Sequence, residues 1–197
     1  MKHILDTISR SDLRIAVVGD AMLDEYYGVS VRKISPEFPI PVMHSESEEP
    51  AVVMPGGAAN VAYQLSHLNK NTVLCSFLDE ESESVLSSKG INTSLCVDIG
   101  PYKIPRKKRF YSGEFPTYRW DVERQWCGMN ARYLSNRSMC LRESITAEAF
   151  DVVIFSDYDK GVFAMQSVSD IAAMRSYPIR IVDPKNELEK WTGCNLI

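Results

Sequence analysis

Leu13-Arg14-Ile15-Ala16-Val17-Val18-Gly19 is the stretch on which the fold turns. A short β-branched run ending in glycine, with no polar alternation after Arg14, has the pattern of a strand buried on both faces of a parallel sheet. Two carboxylates follow at once, in Gly19-Asp20-Ala21-Met22-Leu23-Asp24. They fall just past the carboxyl end of the strand, where open α/β sheets bind ligands. An acid there can accept hydrogen bonds from sugar hydroxyls. The alternative makes Asp20 a turn or capping residue, an explanation that serves Asp24 less well.

Outward from this strand the same signal recurs. Thr72-Val-Leu-Cys-Ser-Phe77 follows a helical stretch from Ala58 to Leu68. Asp151-Val-Val-Ile-Phe155 and Ile179-Arg-Ile-Val182 flank a helical pattern carrying Phe163, Met165, Ile171, Ala172 and Met174. That is a β-α-β unit, whose crossover sets its two strands parallel. The segments 25–46 and 106–123 differ in character: they alternate apolar and polar residues and carry Pro, Tyr and Arg. Such segments suit exposed antiparallel strands, a small β-sheet appended to the α/β body. The stretches 46–49, 79–88 and 126–142 read as loops or a short helix.

Composition narrows the partners. The 197 residues are 45% apolar, enough for a packed core, and carry a net charge of −4 with a pI near 5.5. Nucleic acid and anionic membranes favour the opposite balance, so neither is an expected partner. No apolar run is long enough to span a bilayer, and Met1-Lys-His-Ile-Leu-Asp-Thr-Ile-Ser-Arg-Ser-Asp12 lacks the apolar core of a secretory signal, so a cytoplasmic location is expected. Cys75, Cys96, Cys127, Cys140 and Cys194 are scattered, with no Cys-x-x-Cys pair and only His3, His44 and His67 to assist them. That argues against a metal site and for reduced, mostly buried thiols.

Pro55-Gly56-Gly57-Ala58-Ala59-Asn60 leads into an apolar helical pattern with Val61, Ala62, Leu65 and Leu68. Glycines at a helix start expose backbone N–H groups to a sugar hydroxyl or phosphate. The stretch is neither a Walker A loop nor a dinucleotide fingerprint, and it also fits plain helix-entry geometry. Asp157, Lys160 and Gly161 follow one core strand and Asp183 and Lys185 end another, on the ligand side of the sheet. A lysine there can meet nucleotide phosphates as a point charge, although a strand-end cap and a surface charge account for Asp183 and Lys185 equally well.

Taken in order, Val18-Gly19-Asp20-Ala21-Met22-Leu23-Asp24, the segment Arg32 to Val42 with its Ser35-Pro36-Glu37-Phe38-Pro39, Gly56-Gly57-Ala58-Ala59-Asn60, Ser156-Asp157-Tyr158-Asp159-Lys160-Gly161 and Val182-Asp183-Pro184-Lys185 resemble the ribokinase-like (PfkB) carbohydrate kinases, specifically the heptose-7-phosphate kinase branch. The resemblance runs from Ile15 to Ile197. It implies a ribokinase-like three-layer α/β/α sandwich with a β-sheet lid over the sugar, and a homodimer built through that lid. It implies a sugar-phosphate substrate, ATP and Mg²⁺, and a place in ADP-heptose synthesis for lipopolysaccharide. By it, Asp24, Gly56, Gly57 and Asn60 contact the sugar. Lys107, Arg109, Arg119 and Asp121 match the branch's Lys-x-Arg and Arg-x-Asp elements, with the two arginines ten residues apart. Basic groups there suit the phosphate already on the substrate.

The resemblance also implies that the chain is C-terminally truncated. Family members run on through an Asn-x-x-Glu element and a Gly-x-Gly-Asp loop that supplies an anion hole and the general base. Without them, no catalytic residue can be named, and this stretch is expected to bind a sugar phosphate with little or no turnover. Asn69, Ser76 to Asp79, Arg106, Phe115 and Pro116 depart from the branch and loosen the choice of sugar. Two other readings stand beside this one: an inactive homologue that binds a sugar phosphate or pairs with a kinase through its lid strands, and a nucleotide-dependent epimerase or dehydrogenase. The missing G-x-G-x-x-G after Val18 opposes the last.

Overall fold

The computed structural model describes residues 12–123, 130–164, 166–173, 176–186, 188–191 and 193–194. The Ile15–Gly19 run forms β1, every residue of it buried. β1 lies between β6 (Thr72–Cys75) and β11 (Val152–Asp157), and β12 (Ile179–Pro184) follows β11; all pairs are parallel, in the order β12-β11-β1-β6. A central parallel strand has no solvent face, which is why β1 and β6 are apolar without a break. Helix α1 (Ala58–Leu68) packs against β1, β6 and β11 through Ala58, Ala59 and Ala62, small residues that let it approach the sheet closely.

A second sheet grows out of the first. After Asp20 the chain continues into β2 (Ala21–Gly28), which pairs antiparallel with β5 (Val52–Gly57) and parallel with β9 (Arg106–Ser112). β9 turns at Gly113 into β10 (Phe115–Val122), giving the order β10-β9-β2-β5. Between β2 and β5, β3 (Ser30–Ile34) and β4 (Pro41–His44) make a separate antiparallel hairpin. The alternating segment 106–123 thus forms two paired strands, while 25–46 divides between the second sheet and the hairpin. A short parallel pair, β7 (Phe77–Leu78) with β8 (Val97–Asp98), continues the edge of the first sheet beyond β6.

One sequence expectation is narrowed and two are corrected. The stretch 79–88 is α2 (Glu80–Ser88): Asp79 caps it, accepting from the Ser82 N–H and hydroxyl at 3.3 and 2.8 Å, and three glutamates follow in its first turn, where the helix dipole favours them. Within 126–142, residues 124–129 lie outside the described residues, but Ala131–Thr146 is a 16-residue helix, α3, capped by Asn130 and buried along Leu134, Ser138, Leu141 and Ile145. The single helix expected between β11 and β12 is three short pieces instead, at Val162–Ala164, Gln166–Ser169 and Asp170–Ala173; Met165 and Met174 lie outside the described residues.

Most of the departures from the branch pattern have structural work. Asn69 ends α1 with its side chain bonded to Leu13 O and Asn71 N. The Ser76 hydroxyl donates to Gly19 O at 2.6 Å and accepts from Ala21 N, tying β6 to the exit of β1. Arg106 spans three acids, as described below. Nothing in the structure accounts for Phe115.

Candidate functional site

Along β2 the side chains alternate: Leu23, Glu25 and Tyr27 are buried on one face, Asp24 and Tyr26 half-buried on the other. Register carries that division across the sheet. Asp24 pairs with Lys107 and Tyr26 with Arg109, while Arg119 and Asp121 of β10 stand opposite Arg109 and Lys107. Partners in register point to the same side. Asp24, Lys107, Arg109, Arg119 and Asp121 therefore share one face, five sequence candidates from three strands.

Arg109 grips Asp24, its Nε and Nη2 both donating to Oδ1 at 3.2 and 2.9 Å. Arg119 meets Asp121 Oδ1 at 2.9 Å in an ion pair that does not align as a hydrogen bond. Lys107 has no carboxylate partner among the described residues; its ammonium sits 5.6 Å from the centre of the Tyr158 ring. That contact joins the second sheet to the carboxyl end of β11. Burial, then the charges of Asp183 and Asp24, push the Tyr158 phenol up. Lys160 closes the other side, its Nζ 2.7 Å from Glu123 just past β10.

Asp20 makes the backbone hydrogen bonds of the turn or capping alternative. It is 1% exposed, and its carboxylate accepts from the backbone N–H groups of Tyr158 and Lys160 on Oδ2 and of Val162 on Oδ1, at 2.9 to 3.2 Å. Burial raises its pKa, the three N–H donors oppose that rise, and Asp157 adds to it. With both oxygens holding backbone N–H groups, Asp20 is a positioning residue for the 158–162 loop. Asp157 is likewise buried and accepts from Asp159 N at 2.9 Å, in a turn of its own loop.

The glycines form the end of β5, an edge strand that runs straight into α1. Gly56 pairs with Met22 and Gly57 with Ala21, and the Ala58 N–H donates to Asp20 O. A Cβ on Gly57, at φ +56°, would lie 2.3 Å from Asp20 O; one on Gly56 would lie 2.8 Å from Met22 Cγ and 2.9 Å from Asp24 Oδ2. Gly57 must be glycine, because its left-handed φ sets it against the Asp20 backbone, whereas Gly56 faces side-chain atoms alone. Asn60 is exposed in the first turn of α1 and accepts a long contact from Gln64.

Asp183 and Lys185, both exposed at the end of β12, offer one carboxylate and one ammonium, a set too small to hold a metal by itself. Among the described residues no group of three or more His, Cys, Asp or Glu converges as a metal site. Asn186-Glu187-Leu188-Glu189 has the Asn-x-x-Glu spacing expected to be missing, but Leu188–Trp191 is a short helical turn that buries Trp191, 5.0 Å from the Phe163 ring. Cys75 is fully buried with its thiol pushed well up, and burial takes Cys96 up to about 12, so neither suits a nucleophile. No helix among the described residues is long and apolar enough to cross a membrane.

Sequence reasoning missed the back of the sheet. There Glu25, 2% exposed, accepts from Arg106 Nη1 at 2.7 Å and the Tyr27 hydroxyl at 2.8 Å, with Lys108 Nζ 3.6 Å away. Arg106 also bonds Glu81 of α2 at 3.0 Å and approaches Asp79 at 3.8 Å. A cavity of about 800 Å³ lies elsewhere, between the β3–β4 hairpin and the far ends of β2 and β9, and no candidate residue lines it.

A parallel sheet, a second sheet springing from its first strand and a charged face turned toward the strand ends together define a class, and solved structures share it. The nucleoside kinase of Methanocaldococcus jannaschii, an archaeal ribokinase-family member, superposes with TM-score 0.55 at 18% identity over 90% of this chain and 54% of its own. Ribokinase from Cryptococcus neoformans, solved with ADP, gives 0.53 at 12% over 88% and 50%. The fold is ribokinase-like. Curated relatives of the chain are the bifunctional proteins HldE: it is 30% identical to that of Nitratiruptor sp. over 93% of its length and 33% identical to that of Psychromonas ingrahamii over 93%. The chain spans 39% and 38% of those two relatives. No family model matches it.

Proposed function

We propose that this chain carries the acceptor-recognition face of a sugar kinase that takes a heptose phosphate and phosphorylates one of its hydroxyls from ATP, in the synthesis of ADP-heptose. One observation carries the reading: Asp24, Lys107, Arg109 and Arg119 share a single face that leans, through Lys107, on the Tyr158 loop at the carboxyl end of the parallel sheet. An acid among three cations suits a ligand with both hydroxyls and an anionic group. The second sheet acts as a lid, with Asp20 and Gly57 fixing its root.

In such a transfer ATP supplies the phosphoryl group, with Mg²⁺ on its phosphates, and the protein contributes chiefly position and charge. Here Asp24 orients the sugar, the lid cations hold its phosphate, and Asp183 and Lys185 meet the nucleotide side. These 197 residues contain no Gly-x-Gly-Asp segment. The stretch by itself therefore binds and orients the acceptor, with little or no turnover.

Exposed apolar residues favour a second element of the reading. Ile34, Phe38 and Ile40 on the β3–β4 hairpin are each more than half exposed, as are Phe115, Tyr118 and Trp120 on β10. Pairing of lids between two copies would cover them.

Isothermal titration with heptose 7-phosphate tests the function. The chain binds it, and Asp24→Ala weakens binding at least about tenfold, the scale of a hydrogen bond to a charged group. Unchanged affinity in the variant overturns the role of Asp24, and ATP-dependent phosphorylation by the 197-residue chain overturns the absence of turnover. A clean monomer by light scattering removes the lid dimer.

A further inference from the structure

The way Arg109 holds Asp24 restricts which ligand that carboxylate can accept. Arg109 Nε and Nη2 both donate to the same oxygen, Oδ1. A carboxylate oxygen has two lone-pair positions, so Oδ1 is filled. Oδ2 remains, lying against the Gly56 backbone, where even a methyl group would stand 2.9 Å from it. Gripping two neighbouring sugar hydroxyls, one on each oxygen, requires Arg109 to let go.

Among the described residues Arg109 has no second free carboxylate to pair with. The residue directly opposite it is Arg119, the acid on that strand, Asp121, is already paired with Arg119, and the next cation on the face is Lys107. Releasing Arg109 from Asp24 would leave a partly buried guanidinium facing two like charges. An anion brought by the ligand can take it.

We propose that the Asp24–Arg109 pair is a selectivity gate: a sugar phosphate opens it by exchange, its phosphate taking Arg109 and its hydroxyls taking the freed Asp24, whereas a sugar without an anionic group cannot. The exchange replaces hydrogen bonds and breaks no covalent bond. The gate rests on the sugar-phosphate reading above, and it gives Arg109 two roles, phosphate ligand and lock on the sugar site.

The two roles separate in one experiment. The chain is titrated with heptose 7-phosphate and with the same heptose lacking phosphate, as wild type, Arg109→Met and Arg109→Lys. Wild type prefers the phosphate by at least about a hundredfold, the product of an added charge-assisted contact and the lock. Arg109→Met weakens binding of the phosphate and strengthens binding of the neutral heptose by roughly tenfold. Arg109→Lys, whose ammonium cannot saturate one oxygen with a planar fork, gives a smaller gain in the same direction and serves as the readout if the methionine variant does not fold. Wild type that binds neither heptose overturns the functional reading and the gate with it. Wild type that binds the phosphate, with no gain for the neutral heptose in a folded variant, overturns the gate alone.

Discussion

Arg119 stands directly across from Arg109 on neighbouring antiparallel strands, and each arginine is turned to its own aspartate, Asp121 and Asp24. Like charges opposite one another in a sheet repel, so the two acids make this arrangement tolerable. They also hold the arginines ready, because an ion pair on an open face exchanges readily for a better anion.

The Asp121 pair is the more exposed, with Arg119 59% accessible. Asp121→Asn therefore changes stability little and frees Arg119 for ligand phosphate. We expect heptose 7-phosphate to bind several-fold more tightly to the variant in dilute buffer, with the gain shrinking as the Debye length falls from about 10 Å at 0.1 M salt toward 3 Å at 1 M. A gain that persists at high salt shows that screening does not govern this site.

Gly56 and Gly57 are adjacent but face different neighbours. Ala at Gly57 meets backbone, Asp20 O, at a left-handed φ, and neither can yield cheaply. Ala at Gly56 meets side-chain atoms of Met22 and Asp24, which can rotate. Gly57→Ala is expected to destabilise by about 3 kcal/mol or more, while Gly56→Ala costs less and displaces the Asp24 carboxylate. Denaturant unfolding and sugar-phosphate titration of both variants check this; equal effects on stability contradict it.

Acid should loosen the root of the lid. Burial alone would raise Asp79, but the Ile104 N–H, Ser82 and Lys103 outweigh it and hold the carboxyl below its ordinary 3.8; Arg106 holds Glu81 below 4.5. A carboxyl lowered by folding stabilises above its unfolded value, and that stability is lost as pH falls through the folded one. Asp20, raised by burial, works in the opposite sense and offsets part of the loss. Melting temperature should fall as pH drops from about 5 to about 3, and Asp79→Asn should start lower at neutral pH and decline less. Parallel curves for the two proteins exclude Asp79 as a source of the acid sensitivity.

How much of this was readable beforehand follows from what each feature depends on. β1 and β11 are legible because a strand buried on both faces writes its environment into a continuous apolar run. The shared face of Lys107 with Arg109, and of Arg119 with Asp121, is legible from the two-residue period of a strand. Helix α2 offered its signal in Asp79 followed by Glu80, Glu81 and Glu83, a cap and an acidic first turn, but only Leu86 of its apolar residues is fully buried, so periodicity was faint. In α3 the buried positions 134, 138, 141 and 145 do recur at helical spacing, with Ser138 breaking the apolar stripe. Asp24 with Arg109, and Glu25 with Arg106, could not be read, because each depends on the parallel register of β2 and β9 across more than eighty residues of chain.

That register suggests a final test at Glu25. Asp24 and Glu25 are neighbours on opposite faces of β2: one presents the site, the other is buried against Arg106 and Lys108. A one-residue slip would exchange the two faces and place a buried charge in the open, so the Glu25–Arg106 pair fixes the register on which the site depends. Removing one member of a buried pair leaves the other uncompensated, so Glu25→Gln should cost about 3 kcal/mol, softened by the hold of Arg106 on Glu81. Arg106→Met should cost a similar amount, and the double variant less than the sum, since it strands no charge at this pair. Urea unfolding of the four proteins measures the difference. Additivity within about 0.5 kcal/mol means that the two residues are not coupled, and the register must then be held by the backbone ladder alone.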